Sequence, residues 1–197
     1  QVVRYLERYA KHFQIQPQFG VEVQHIQRSN IGWSVRANQA IHNARNLVLA
    51  TGYNRLANKP VWPGMESFES EVKHSSEYRN AQGLQGKCVL VVGIGNSGAE
   101  IALDLLEHKA EVHISVRSPI NVVPRDPWGV PAQVNATCLS VFPPAVADGV
   151  GRFAQRLQYG NIENYGLRAS SVGAATNLIK NGRVALIDVG TMARIKD

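Results

Sequence analysis

The chain has 197 residues, 44% hydrophobic and 18% charged, a balance that suits a globular protein with a sizeable core. Its formal charge of +6 comes from scattered Lys and Arg with no run of five or six like charges, so no nucleic-acid function is expected. No stretch approaches the roughly eighteen uninterrupted apolar residues of a membrane helix. The 2 cysteines, Cys88 and Cys138, lack CxxC spacing and point to a reducing, cytoplasmic setting.

The chain opens on Gln1 with a helical pattern already under way and no signal peptide, which suggests a piece of a longer gene product. Val3, Leu6, Ala10 and Phe13 predict an amphipathic helix over 2–14, ended by Pro17 and Gly20. Residues 21–24 and 32–36 alternate apolar and polar side chains. With a turn at Ser29, Asn30 and Gly32 they predict a short β-meander. Residues 44–53 read as a buried strand that breaks at Gly52. Its small-residue exit, Ala50-Thr51-Gly52, lets a bulky ligand lie against the backbone. Residues 54–86, with Pro60, Pro63-Gly64, Gly83 and Gly86, read as a connector between two lobes. His74 within it has no convincing acid–base partner nearby and is expected to be a hydrogen-bonded structural histidine.

The most informative stretch follows. Residues 87–92 form an apolar strand that runs into Gly93-Ile94-Gly95-Asn96-Ser97-Gly98 and then a helix. In such a Gly-x-Gly-x-x-Gly bend, the first glycine permits the turn and the second lets a pyrophosphate approach the backbone. The third allows close packing of helix on strand, and the helix N-terminus faces the phosphates. Ala99, Ala102, Leu103 and Leu106 predict the buried face of that helix, and residues 111–116 a second strand completing a β-α-β unit. Cys88 is expected to be buried in the first strand. Arg117-Ser118 closes the second strand 19 residues beyond Gly98, where an NAD-binding fold carries an acidic residue and an arginine suits the 2′-phosphate of NADP. The alternative for Arg117 is a solvated strand end.

Residues 118–144 are rich in proline and read as a wide loop. Val150, Phe153, Ala154 and Leu157 predict a helix stopped near Gly160, Gly182 a helix C-cap, and residues 183–187 a returning strand.

Taken together, the residues resemble the flavin-containing monooxygenases, in particular the indole-3-pyruvate (YUCCA-type) branch and its bacterial relatives. The resemblance rests on residues 49–53, on the stretch from Phe68 to Tyr78, on residues 86–98, and on residues 116–119 with 123–125. The family fingerprint Phe-x-Gly-x-x-x-His-Ser-x-x-Tyr is matched by Phe68, His74, Ser75 and Tyr78, with Ser70 in place of its glycine. A left-handed turn there would strain a serine.

The resemblance implies an α/β fold, with a Rossmann-like NADPH-binding domain (β-α-β) and part of a Rossmann-like FAD domain with a β-meander. It places a partial FAD lobe at 1–53, a hinge at 54–86, an NADPH domain at 87–182 and a return strand at 183–197. The family's FAD-binding glycine motif would belong upstream of residue 1, and its closing strand after residue 197. The implied cofactors are NADPH and FAD, held by Gly93, Ile94, Gly95, Asn96, Ser97, Gly98, Arg117, Ser118, Ala50, Thr51 and Gly52. The implied reaction oxygenates a small organic substrate with dioxygen through a flavin C4a-(hydro)peroxide, with no catalytic side chain and no metal. A non-oxygenating flavoprotein reductase, or a chain that only binds NADP(H), stays open at this point.

Overall fold

The computed structural model describes residues 1–52 and 56–196. The chain divides into two compact units, Gln1–Leu56 and Ala57–Asp197.

The first unit begins with helix α1 (Val2–His12), capped at Phe13 and broken by the positive φ of Gln14, ahead of Pro17. Tyr5, Tyr9 and Phe13 stack along it at i, i+4 spacing. Strands β1 (Val23–Ser29), β2 (Gly32–Ala37) and β3 (Ala40–Ala44) then form an antiparallel meander in that order. Its first hairpin turns between the paired Ser29 and Gly32, as the sequence predicts. The second turns at Asn38, which takes φ +51°. Asn38 tolerates that conformation because its amide accepts from the Glu22 N–H at 3.1 Å and donates to the Gly20 carbonyl at 3.3 Å.

The buried strand predicted over 44–53 does not form. β3 ends at Ala44, residues 46–52 have no regular structure, and Val48 and Leu49 are 84% and 71% exposed. Leu47-Val48-Leu49-Ala50 has the composition of a strand covered on both faces. A strand exists only through a neighbour's ladder, however, and none of the described strands runs beside it. Tyr53 lies outside the described residues.

In the second unit, β4 (Cys88–Val92), α2 (Asn96–Glu107) and β5 (Glu111–Ser115) form the predicted β-α-β unit, the strands paired in parallel from Cys88↔Glu111 to Val92↔Ser115. Then come β6 (Val122–Pro124), α3 (Ala132–Leu139), α4 (Pro144–Tyr159), α5 (Ala174–Asn181), β7 (Leu186–Asp188) and α6 (Thr191–Lys196), with β6 and β7 also parallel. Prolines that suggested a wide loop after Arg117 instead start helices: Pro131 is the N-cap of α3, Pro143 that of α4, and Pro144 its first residue. There the missing N–H costs nothing and φ is already helical. Gly160 and Gly182 end α4 and α5, as expected.

Two apolar clusters hold this unit. One joins Ala81, Val91, Ala102, Leu105 and Ala110; the other joins Ile94, Ala99, Val122, Tyr159, Ile162, Leu167, Leu186 and Met192. α2 therefore buries Ala99, Ala102 and Leu105, whereas Leu106, predicted on that face, is exposed. The two alanines bring the helix close to the strands. Leu105 then falls over Val91 and Ala110, and Leu106 is rotated a further 100° away. In α4 the buried residues are Asp148, Ala154 and Tyr159, while Phe153 and Leu157 lie outside. Cys88 is exposed, correcting its predicted burial. β4 packs Val89 and Val91 into the core under α2, and the alternation of a strand puts Cys88, Leu90 and Val92 on the open face.

Candidate dinucleotide-binding site

The Gly93–Gly98 bend is built as the motif predicts. Gly93 has φ +101°, a conformation costly for any other residue, and its N–H donates to the Ser115 carbonyl at 2.9 Å. That bond ties the start of the bend to the end of β5. A Cβ on Gly98 would sit 2.1 Å from the Gly93 carbonyl oxygen, so only glycine lets α2 pack this closely on the strand exit. Gly95 is the N-cap of α2, and a Cβ built there meets nothing within 4 Å. The Ala99 N–H makes the first bond into the helix, to the Gly95 carbonyl, which leaves the N–H groups of Asn96, Ser97 and Gly98 without intrahelical acceptors. The first turn carries no acidic side chain to repel an anion. The bend thus offers open space, unpaired donors and the positive end of a helix.

Not every residue of the motif turns toward that space. The Ile94 side chain is buried in the core, so only its backbone is available to a ligand. The Asn96 side-chain amide oxygen, Oδ1, accepts from the Ile187 N–H at 2.8 Å and fastens α2 to β7. Ser97 is exposed.

Arg117 is exposed two residues beyond Ser115, and Ser118 is half-buried beside it. Arg168, which the sequence did not single out, donates from Nη2 to the Arg117 carbonyl at 2.5 Å. The two are 51 positions apart, and no local pattern announces the pairing. In the first unit, Ala50, Thr51 and Gly52 are exposed and have no regular structure, with φ +76° at Gly52 and nothing within 4 Å of a Cβ placed there.

The fingerprint stretch before β4 is a structural strap. The Tyr78 hydroxyl donates to Asp104 on α2 at 2.5 Å, and its ring packs with Leu84 against the core. Burial, then the Asp104 carboxylate, pushes the Tyr78 phenol above its ordinary value. His74 Nδ1 lies 2.8 Å from Ser76 Oγ, and the His74 N–H donates to Glu77. The Glu77 carboxylate also meets Lys59 at 2.9 Å; the hydrogen bond from Lys59 is the main reason its acidity is raised. His74 is thus the hydrogen-bonded histidine its context predicted. Ser70 is not among the described residues with positive φ, so the serine in the family's glycine position carries no left-handed strain.

Cys88, Glu111 and His113 place their donor atoms within 4.8 Å of one another on the open face of β4 and β5, a set no sequence spacing suggested. All three are exposed, and His113 Nε2 already lies 3.2 Å from Glu111 Oε1.

Residues 1–129 match the profile of the pyridine nucleotide-disulphide oxidoreductases. The chain belongs to that family. It is 34% identical over 209 residues to a probable indole-3-pyruvate monooxygenase, YUCCA3, of Arabidopsis thaliana, covering 100% of this chain and 48% of that protein. Its structure is similar to a flavin-containing monooxygenase from Stenotrophomonas maltophilia, with a TM-score of 0.61 and 26% identity over 69% of this chain and 40% of that one. It is also similar to OTEMO in complex with FAD and NADP, with a TM-score of 0.51 and 26% identity over 63% of this chain and 25% of that one. The chain spans about half the length of the curated relatives it matches. The resemblance to flavin monooxygenases and the α/β fold read from the sequence are both borne out.

Proposed function

We propose that this chain is the NADPH-binding part, with a portion of the FAD-binding part, of a monooxygenase that oxygenates a small organic substrate with dioxygen. The open bend at the start of α2 carries the reading, tied through Gly93 and Ser115 to the strand end that bears Arg117. The residues fit a dinucleotide diphosphate: the N–H groups of Asn96, Ser97 and Gly98 have no intrahelical acceptor, and the space over Gly95 is free.

In this reading those N–H groups hold the diphosphate, and Arg117 with Ser118 selects the 2′-phosphate, which a guanidinium pairs and a carboxylate would repel. Ala50-Thr51-Gly52 offers a side-chain-poor backbone beside the flavin, in the lobe formed by residues 1–53. The bound cofactor pair supplies hydride transfer and dioxygen activation. The protein's share is orientation and exclusion of water. A reducing, cytoplasmic setting suits the two free cysteines, and among the described residues no helix is long and apolar enough to cross a membrane.

The test is to purify the protein with FAD, add NADPH, and follow oxygen uptake against a panel of ketones, sulfides, amines and aryl-pyruvates. One class is expected to stimulate uptake and yield an oxygenated product. Clean flavin reduction with no oxygenated product from any class would reject the oxygenase reading.

A further inference from the structure

We propose that Cys88, Glu111 and His113 form a binding site for a divalent transition-metal cation of the Zn²⁺ class, at the end of the sheet opposite the dinucleotide bend. The strand register builds it. Cys88 and Glu111 open β4 and β5 and are partners in the parallel ladder, and His113 stands two residues further along β5. Residues two apart on a strand share a face of the sheet. Val89, Val91, Val112 and Ile114 pack with Ala102 and Leu105 of α2 on the other face. A thiol, a carboxylate and an imidazole are thereby gathered on the open face, their donor atoms within 4.8 Å of one another. A five-residue strand rising about 3.3 Å per residue puts this site ~15 Å from Gly93, so it does not depend on the cofactor reading.

Those separations suit a tetrahedral ion. Nitrogen and oxygen ligands bound at about 2.1 Å lie about 3.4 Å apart around Zn²⁺, and a thiolate sulfur lies about 3.6 Å from them. His113 Nε2 and Glu111 Oε1 are already 3.2 Å apart. The sulfur has at most about 1.2 Å to close, which rotation of an exposed side chain supplies. The donor set also selects the ion. Thiolate and imidazole favour Zn²⁺ and its neighbours in the first transition row, whereas Mg²⁺ and Ca²⁺ take oxygen ligands. On binding, a metal–sulfur bond forms as the Cys88 thiol gives its proton to solvent. Three protein ligands on an exposed face leave the fourth position to water. An exposed cysteine also runs against that residue's usual burial, and ligation gives Cys88 a role that packing does not.

Untagged protein is stripped with a chelator under reducing conditions and titrated with Zn²⁺, Co²⁺ and Mg²⁺, beside C88S, E111Q, H113N and, as a control, C138S. The parent is expected to bind one Zn²⁺ with a Kd below about 10 µM, weaker than a closed four-ligand site, and to ignore Mg²⁺. Co²⁺ is expected to give a sulfur-to-metal charge-transfer band that C88S removes and C138S keeps. C88S, E111Q and H113N should each weaken Zn²⁺ at least about tenfold, the lower bound for disturbing a ligand shell. Zn²⁺ should shield Cys88 but not Cys138 from alkylation, read by peptide mass spectrometry. The cobalt band and the alkylation pattern are read on the unaltered protein, so they decide the matter even where a variant folds poorly. A Kd weaker than about 10 µM would overturn the site. So would Zn²⁺ binding that any one of the three substitutions leaves unchanged, or Cys88 alkylated equally with and without Zn²⁺. A protein that takes up Zn²⁺ but binds no NADPH refutes the cofactor reading and leaves this site standing.

Discussion

Gly95 and Gly98 lie three residues apart in one motif, yet the structure assigns them opposite penalties for a single methyl group. At Gly98 a Cβ would lie 2.1 Å from the Gly93 carbonyl oxygen and 3.1 Å from its carbon. That is more than about 1 Å inside the ~3.3 Å at which a carbon and a carbonyl oxygen settle. The obstacle is backbone, held by the bond from the Gly93 N–H to Ser115, so no flexible side chain can yield. Overpacking of this kind costs about 3 kcal/mol, and alanine returns about 1 kcal/mol of helix propensity. Gly98→Ala is thus expected to lose about 2 kcal/mol, a fall in Tm of about 4–8 °C for a domain of this size.

Gly95 has φ −76° and ψ −179°, which alanine adopts freely, and no atom lies within 4 Å of its Cβ position. Gly95→Ala should cost less than about 1 kcal/mol of stability, the difference between the two residues at an N-cap. Its methyl group would occupy the approach path of the diphosphate and should weaken NADPH binding at least about tenfold, or ~1.4 kcal/mol. Circular dichroism melts and NADPH titrations of both variants make the assay. A Gly95→Ala protein that binds NADPH normally would refute the diphosphate cradle, and a Gly98→Ala protein as stable as the parent would refute the packing argument.

Arg117→Ala is expected to erase a preference for NADPH over NADH with little change in Tm, read by titration with both cofactors; a retained preference would make Arg117 a solvated strand end. Asn96→Ala should lower stability by about 1–2 kcal/mol, because the Ile187 N–H loses its acceptor, and leave the NADPH-to-NADH affinity ratio unchanged. Tyr78→Phe removes the hydroxyl bound to Asp104 and should cost about 1–2 kcal/mol at neutral pH by chemical denaturation. Because the Tyr78 phenol is raised above its ordinary value near 10, its contribution is complete below that pH and is lost as pH rises toward the folded-state value. Above pH ~10 the parent should therefore lose stability more steeply than the Phe variant, and parallel alkaline limbs would contradict this.

The β-α-β unit and its glycine bend were legible in the sequence because their determinants are local. Gly93 is needed where one residue must turn with positive φ, Gly98 where helix meets strand three to five residues away, and Gly182 where α5 stops. Such requirements act over a single turn and leave their mark at fixed spacing. Tertiary structure decided what depends on partners. The Leu47–Ala50 run has strand composition but no strand alongside it among the described residues, so it takes no regular structure. Cys88 and Leu106 have apolar character, but their exposure follows from which face of β4 and α2 meets the core. Arg168 comes beside Arg117 only because the chain returns after 51 positions to pair with Ile120, and hydrophobic periodicity carries no record of a contact made at that distance.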